Sequence, residues 1–310
     1  MSAAVRMEVA VGGGLVLRNP VLTASGTFGY GLEFEPYVDL VRLGGVVVKG
    51  ISPKPRAGNP PPRLVETPSG MLNAIGLQNV GIERFLEEKL PALRERGVAT
   101  VVNVYGQCEE DLLHVVERLA KESGVAAVEL NLSCPNVKEG GLELGRSPKA
   151  IEAITRDARA ITRQPLWVKL TPNVSSIAET ALAAEAGGAD AVSLINTLVG
   201  MVIDVERRRP VLHRGSGGLS GPAIRPVAIA MVHQVYKAVK IPIVGMGGIV
   251  NARDVVEFLL AGARAVQVGT ANFNDPGVAM RIVDDLAAWC VAHGVADVNE
   301  LVGAVKGNQA

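Results

Sequence analysis

Ala126-Ala127-Val128-Glu129-Leu130-Asn131-Leu132 is an apolar run whose later half carries a polar residue at every second position. That alternation predicts a β-strand with Val128, Leu130 and Leu132 on one face, and Glu129, Asn131 and the following Ser133 on the other. A helical run over residues 111–122 stops at Gly124 just before it, and a second helical run, residues 148–162, comes after it. Strand then helix is therefore the local unit, and the rest of the chain repeats it.

Working outward, strands are predicted over residues 21–25, 46–50, 101–105, 126–132, 166–171, 191–196, 241–245 and 265–269. Helices are predicted over residues 33–43, 82–96, 111–122, 148–162, 177–186, 222–239, 253–260 and 277–291. Gly44, Gly97, Gly124, Gly187 and Gly262 precede strands and read as left-handed helix stops. Eight such units predict a (β/α)8 TIM barrel occupying residues 1–310 as a single domain. A short N-terminal β-hairpin is expected over residues 7–17, turning at Gly12-Gly13-Gly14. The competing doubly wound sheet wants G-x-G-x-x-G after its first strand, and Thr23-Ala24-Ser25-Gly26-Thr27-Phe28-Gly29 does not have that spacing.

The connections are unequal. Residues 51–80, 133–147 and 197–221 form long insertions, and all three leave the C-terminal ends of strands, the face on which barrel enzymes build their sites. The first begins with the proline-rich, basic stretch Pro53-Lys54-Pro55-Arg56-Ala57-Gly58-Asn59-Pro60-Pro61-Pro62, which reads as an ordered surface lid.

Bulk composition narrows the function. Lys+Arg 31 against Asp+Glu 31 gives a formal net charge of +0, which removes the general attraction that nucleic acid or an anionic membrane exerts on a basic protein. No apolar run approaches the ~18 residues of a bilayer span, and the N-terminus does not read as a signal peptide. A soluble, cytoplasmic protein with a small-molecule substrate is expected. Cys108, Cys134 and Cys290 are too few and too irregular for a disulfide framework, a zinc site or an iron–sulfur cluster, so any such cluster would sit on a partner. His114, His213, His233 and His293 form no metal or triad spacing, and no metal is expected.

Several residue types converge on the predicted strand ends. On residues 166–171 the alternation sends Trp167, Lys169 and Thr171 inward, making Lys169 an interior lysine with Glu129 on the neighbouring strand as its natural counter-ion. Lys49 closes another strand and is followed by Gly50, where a ligand can approach the backbone. Either lysine alone could be structural or solvated, but two cations aimed at one mouth favour an anionic ligand. Asn73, Asn103, Asn131, Asn136 and Asn196 fall on the same face. Their amides suit a ligand edge that alternates N–H and C=O, such as a pyrimidine dione or an isoalloxazine, although each could also be a turn residue. Gly245-Met246-Gly247-Gly248 and Gly269-Thr270 follow the last two strands, where barrels hold phosphates. Cys134 lies in Asn131-Leu132-Ser133-Cys134-Pro135-Asn136, where Pro135 ends the strand and throws the thiol onto a loop facing the site. A lone cysteine is more often buried and inert, but this one could act as a base, with help from nearby positive charge.

Taken in order, Ala24-Ser25-Gly26, Lys49-Gly50, Asn73-Ala74-Ile75-Gly76-Leu77-Gln78-Asn79, Asn131 through Asn136, Lys169, Asn196-Thr197, Ser220-Gly221, Gly247-Gly248 and Gly269-Thr270 closely resemble the dihydroorotate dehydrogenase family over nearly the whole chain. Cysteine in the Asn-x-Ser-Cys-Pro-Asn loop resembles the soluble class 1 group, whereas the membrane-associated class carries serine there. The continuation Val137-Lys138-Glu139-Gly140-Gly141 looks like the NAD-linked, type B branch.

That resemblance implies FMN-dependent oxidation of dihydroorotate to orotate in pyrimidine biosynthesis, with Cys134 as the general base that takes the C5 proton while the C6 hydride goes to FMN. It implies FMN contacts from Ser25, Lys49, Gly50, Asn103, Asn131, Lys169, Ile195, Gly221, Gly247, Gly248, Gly269 and Thr270. Substrate contacts are implied for Lys49, Asn73, Ala74, Ile75, Gly76, Leu77, Asn131, Asn136, Asn196 and Thr197. It further implies a partner subunit carrying FAD and a [2Fe-2S] cluster that passes electrons to NAD, in a heterotetramer with two copies of each chain. Three other readings stay open: a flavin enzyme acting on another pyrimidine, a subunit that only relays electrons, and a non-redox phosphate-binding barrel lyase.

Overall fold

Eight parallel strands close into a barrel in the computed structural model, which describes residues 5–132 and 144–307. They are β1 (Val21–Thr23), β2 (Gly45–Ile51), β3 (Thr100–Val104), β4 (Val125–Asn131), β5 (Leu166–Lys169), β6 (Ala191–Leu194), β7 (Ile243–Met246) and β8 (Ala265–Val268). Each pairs with its neighbours in chain order, and β8 closes onto β1. The expected (β/α)8 barrel is the observed fold, with strand ends within a few residues of those read from the sequence.

Among the described residues, seven helices of ten or more residues cover the outside: α1 (residues 82–95), α2 (Glu109–Ala120), α3 (Pro148–Ile161), α4 (Ile177–Ala186), α5 (Arg225–Tyr236), α6 (Ala252–Ala261) and α7 (Val278–Ala292). Their inward residues and the outward faces of the strands form one apolar shell, in which Leu112, Val115, Ile151, Ile154, Val232 and Val255 are buried. Ser147 caps α3 through its side chain and Asn251 forms a capping box with Asp254 at α6, which fixes where both helices begin.

Three local expectations need correction. Residues 33–43 do not form a helix: only short 3-10 turns at Leu32–Phe34 and Leu40–Arg42 occur. Pro36 lies between them and has no N–H to give to a carbonyl one turn back. Residues 82–95 are helical but pass through a π turn at Phe85–Lys89, just ahead of Pro91, which likewise has no amide to donate. Left-handed stops occur at Gly97, Gly124 and Gly262, but after α4 the left-handed residue is Gly188 rather than Gly187, and Gly44 is not left-handed.

The two ends of the barrel differ. At the N-terminal end the hairpin of Val9–Ala10 and Val16–Leu17 forms as expected, and its glycine turn lies against Pro165 and Asp190, the residues that lead into β5 and β6. Val9, Val11 and Leu17 are buried there, so this end is plugged. At the opposite end, two insertions join. A hairpin of Leu64–Thr67 and Gly70–Asn73, from the insertion after β2, pairs with Gly217–Ser220, which pairs in turn with Leu198–Gly200 from the insertion after β6. The resulting four-stranded antiparallel sheet walls one side of the mouth.

Candidate functional site

Inside the barrel the strand alternation has its expected result. Glu129 is fully buried on β4 and meets donors from three other strands: Asn103 Nδ2 at 2.6 Å, Ser193 Oγ at 2.7 Å and Gln267 Nε2 at 2.7 Å. Lys169 on β5 places its Nζ 3.8 Å from Glu129 Oε1 and donates to Ser25 Oγ at 3.2 Å. Asn131 Nδ2 donates to Asn103 Oδ1 at 3.3 Å, so the amides form a chain that ends on the carboxylate. Burying an unpaired carboxylate or ammonium would cost several kcal/mol; here each charge faces the other and carries further hydrogen bonds.

Above this floor opens a cleft of about 670 Å³ at the C-terminal mouth. Its walls include Ser25, Lys49, Gly50, Asn103, Asn131, Lys169, Ile195, Asn196 and Thr197 from strand ends. Asn73, Ala74, Ile75, Gly76 and Leu77 come from the hairpin insertion, and Gly221, Gly247, Gly248, Gly269 and Thr270 from late turns. Every described residue expected to contact cofactor or substrate borders this cleft; Cys134 and Asn136 lie outside the described residues. No histidine lines it, and among the described residues no group of three or more His, Cys, Asp or Glu side chains could hold a metal ion.

The hairpin segment is held by its own backbone bonds. Ala74 N donates to Arg63 O at 2.8 Å, Asn59 N to Ile75 O at 2.9 Å and Asn59 Nδ2 to Ala74 O at 2.8 Å. Asn73 Nδ2 donates to Gly218 O at 3.3 Å, across the sheet that joins the two insertions. On the far wall Thr197 N donates to Asn196 Oδ1 at 2.8 Å, and Asn173 Nδ2 to Thr197 O at 3.0 Å. Lys49 is half-buried beside the hairpin; burial first, and then the neighbouring Arg63 guanidinium, hold its pKa below the usual lysine value, against a smaller opposing pull from Glu33.

Glycine turns make the remaining wall. Gly221, Gly247 and Gly248 all have positive φ, at 92°, 131° and 76°. A Cβ on Gly248 would stand 2.7 Å from Gly221 O, so the two turns approach more closely than any side chain allows. Thr270 Oγ1 donates to Ser220 Oγ at 2.8 Å and ties the turn after β8 to the insertion sheet.

The cleft has room and chemistry for a large polar cofactor. Its volume falls within the usual range for ligand sites. Gln267, almost fully buried and bordering the cleft, presents Oε1 with no partner while its Nε2 is committed to Glu129, leaving an acceptor ready for a ligand's donor. The glycine cradle, two lysines and a set of amides match a phosphate, an anionic ring and a ring edge of mixed donors and acceptors. Ser193 and Gln267 were not among the candidates, although the same alternation puts both inside the barrel; Asn59, Arg63 and Asn173 also shape the cleft and carried no distinguishing spacing.

A parallel barrel plugged at its N-terminal end, with a charged, amide-lined cleft at the other, defines a barrel enzyme acting on a small molecule at its C-terminal face. The family model for dihydroorotate dehydrogenase matches residues 7–289. Among curated proteins, the "Dihydroorotate dehydrogenase B (NAD(+)), catalytic subunit" of Trichlorobacter lovleyi is 54% identical over 307 residues, covering 99% of this chain and 100% of that protein. The protein of the same name from Citrifermentans bemidjiense is 56% identical over 300 residues, covering 97% of this chain and 98% of its own. Among solved structures, DHODH from Eimeria tenella in complex with ferulenol aligns with a TM-score of 0.78 at 25% identity, over 96% of this chain and 88% of that one. The chain belongs to the dihydroorotate dehydrogenase family.

Proposed function

We propose that this chain is the catalytic subunit of an NAD-linked dihydroorotate dehydrogenase, oxidising dihydroorotate to orotate in pyrimidine biosynthesis, with residues 1–310 serving as a single FMN-binding barrel. The observation that carries the reading is the convergence of Lys49, Lys169 and the asparagine set on one cleft opposite a glycine cradle.

Ser25, Lys49, Gly50, Asn103, Asn131, Lys169 and Ile195 would hold the ring side of FMN, and Gly221, Gly247, Gly248, Gly269 and Thr270 its phosphate side. When bound, FMN supplies a two-electron acceptor for the hydrogen that leaves C6 of the substrate. The chain's own residues do the rest. Lys49 offers a positive charge to the substrate carboxylate, and Asn73 through Leu77 present amide and backbone groups along the insertion hairpin. Asn131, Asn196 and Thr197 border the same space from the strand ends, with Asn136 expected to complete the set. Cys134 would remove the C5 proton as general base, a role typically worth ~10²–10⁴ in rate. Lys169 would face the negative charge that arrives with the hydride, and such a preorganised charge acts more strongly in a water-poor barrel interior than in bulk water.

Electrons would leave to NAD through a partner subunit carrying FAD and a [2Fe-2S] cluster, in an assembly of two copies of each chain. The relatives' designation as a catalytic subunit supports a partner. A cytoplasmic location is part of the proposal; among the described residues no helix is long and apolar enough to cross a membrane.

The test is anaerobic addition of dihydroorotate to the purified yellow chain. Bleaching of the flavin band is expected, and with the co-expressed partner, reduction of NAD. A colourless protein, or a flavin indifferent to dihydroorotate, would refute the proposal.

A further inference from the structure

Glu129 takes no part in the reaction proposed above, yet side chains from four other barrel strands converge on it. It accepts from Asn103 of β3, Ser193 of β6 and Gln267 of β8, and faces Lys169 of β5. An ionised carboxylate only accepts hydrogen bonds, and all four partners offer donors. The carboxylate therefore fixes its neighbours' orientation: Asn103 must turn its amide nitrogen inward, leaving Oδ1 for Asn131, and Gln267 commits Nε2, leaving Oε1 without a protein partner. Among the described residues, the buried charged side chains are Glu129, Lys169 and Asp254, and Asp254 lies on α6 paired with Arg225. Inside the barrel one anion thus faces one cation.

That pairing has an electrostatic consequence at the cleft. Lys169 and Glu129 are both almost fully buried, so little water screens either charge. Any negative charge placed in the cleft is attracted by the ammonium and, from slightly deeper, repelled by the carboxylate.

We propose that Glu129 is a positioning residue that both aims Lys169 toward Ser25 and the cleft and offsets part of its charge, thereby lowering the reduction potential of the bound flavin. This rests on the reading of the cleft as an FMN site. A bare lysine would stabilise the charge gained on reduction more strongly and hold the electrons more tightly. The carboxylate beneath it keeps those electrons available for onward transfer toward a nicotinamide acceptor.

The experiment is an anaerobic reductive titration of the FMN-loaded chain against a reference dye, comparing wild type with Glu129→Gln, Glu129→Asp and Ser193→Ala. Glu129→Gln keeps the shape and removes the charge; the ratio of reduced to oxidised flavin at fixed potential should rise about tenfold or more, a shift of about 30 mV upward for a two-electron couple. Glu129→Asp keeps the charge and gives up reach, and should stay within about threefold of wild type. Ser193→Ala keeps both charges but removes a donor dipole that offsets the carboxylate, so its potential should fall; this variant decides the matter should Glu129→Gln fail to fold. An unchanged potential in Glu129→Gln, an equal rise in Glu129→Asp, or an unchanged or raised potential in Ser193→Ala would each overturn the proposal. Those results presuppose a bound flavin that dihydroorotate bleaches; a wild-type chain without one would instead remove the FMN reading itself.

Discussion

Thr270 Oγ1 donates to Ser220 Oγ across 2.8 Å, linking the turn after the last barrel strand to the sheet built from two insertions. The bond adds a side-chain tie between that turn and the sheet, beside the backbone bond from Ala223 N to Ser69 O at 2.9 Å. Thr270→Val keeps the volume and removes the hydroxyl. A single neutral hydrogen bond contributes about 1 kcal/mol, and Ser220 would be left without its donor. FMN affinity should fall by about fivefold to tenfold, read as fluorescence of flavin released on dilution, with little change in the melting temperature of the apoprotein. Unchanged flavin retention would show that flavin binding does not depend on this tie.

A larger effect is expected at Gly248. Its φ of 76° strains any residue with a side chain, and a Cβ would stand 2.7 Å from Gly221 O, a backbone atom that cannot rotate away. Strain of this kind costs about 1–3 kcal/mol. Gly248→Ala should therefore yield protein that folds but is purified with much less flavin. Gly14→Ala is the control: it too has positive φ, at 79°, but meets nothing within 4 Å and lies at the plugged end of the barrel. That variant should lose stability without losing flavin, and equal flavin loss in both would remove the cradle argument.

The contrast between those two glycines also shows what the sequence could and could not reveal. The interior lysine and its carboxylate were legible because the alternation of β4 and β5 puts Glu129, Asn131 and Lys169 on one face, and the register sets Asn131 opposite Lys169. The helices were legible wherever apolar periodicity ran unbroken, and failed at residues 33–43 where Pro36 interrupts it. The insertion sheet was not legible. It pairs Asn73 with Gly218, 145 positions away, through strands of three or four residues, and Gly217-Gly218 carries no β-forming signal. Ser193 and Gln267 occupy inward positions by the same rule as Glu129, but nothing in an uncharged residue marks it as the partner of a distant carboxylate.

Lys49 gives a prediction with a definite sign. Burial and the Arg63 guanidinium lower its pKa, so the folded protein gives up this proton at lower pH than the unfolded chain does. The cost of holding the ammonium in the fold is fully present below the folded pKa and disappears as pH rises toward the unfolded value, so this group makes stability rise with pH over that interval. On the proposed role function runs the other way, because the ammonium of Lys49 would hold the carboxylate of dihydroorotate. KM should rise on the alkaline side, earlier than an ordinary lysine would allow. Arg63→Gln removes the like charge and should move that alkaline limb to higher pH; a limb that stays put, or moves down, would mean that Lys49 does not set it.

The proton taken from C5 needs its own test, since Cys134 lies outside the described residues. If its thiolate is the base, Cys134→Ala leaves Lys49, Lys169 and the amide walls intact, so orotate should still perturb the flavin spectrum with an affinity within a few-fold of wild type. Single-turnover bleaching by dihydroorotate should slow by ~10²–10⁴. Raising the pH should speed the wild-type reaction as the thiol gives up its proton, and that dependence should vanish in the variant. Bleaching at the wild-type rate in Cys134→Ala would assign the base to another group on the same face, and a loss of orotate binding would instead place the thiol in substrate recognition.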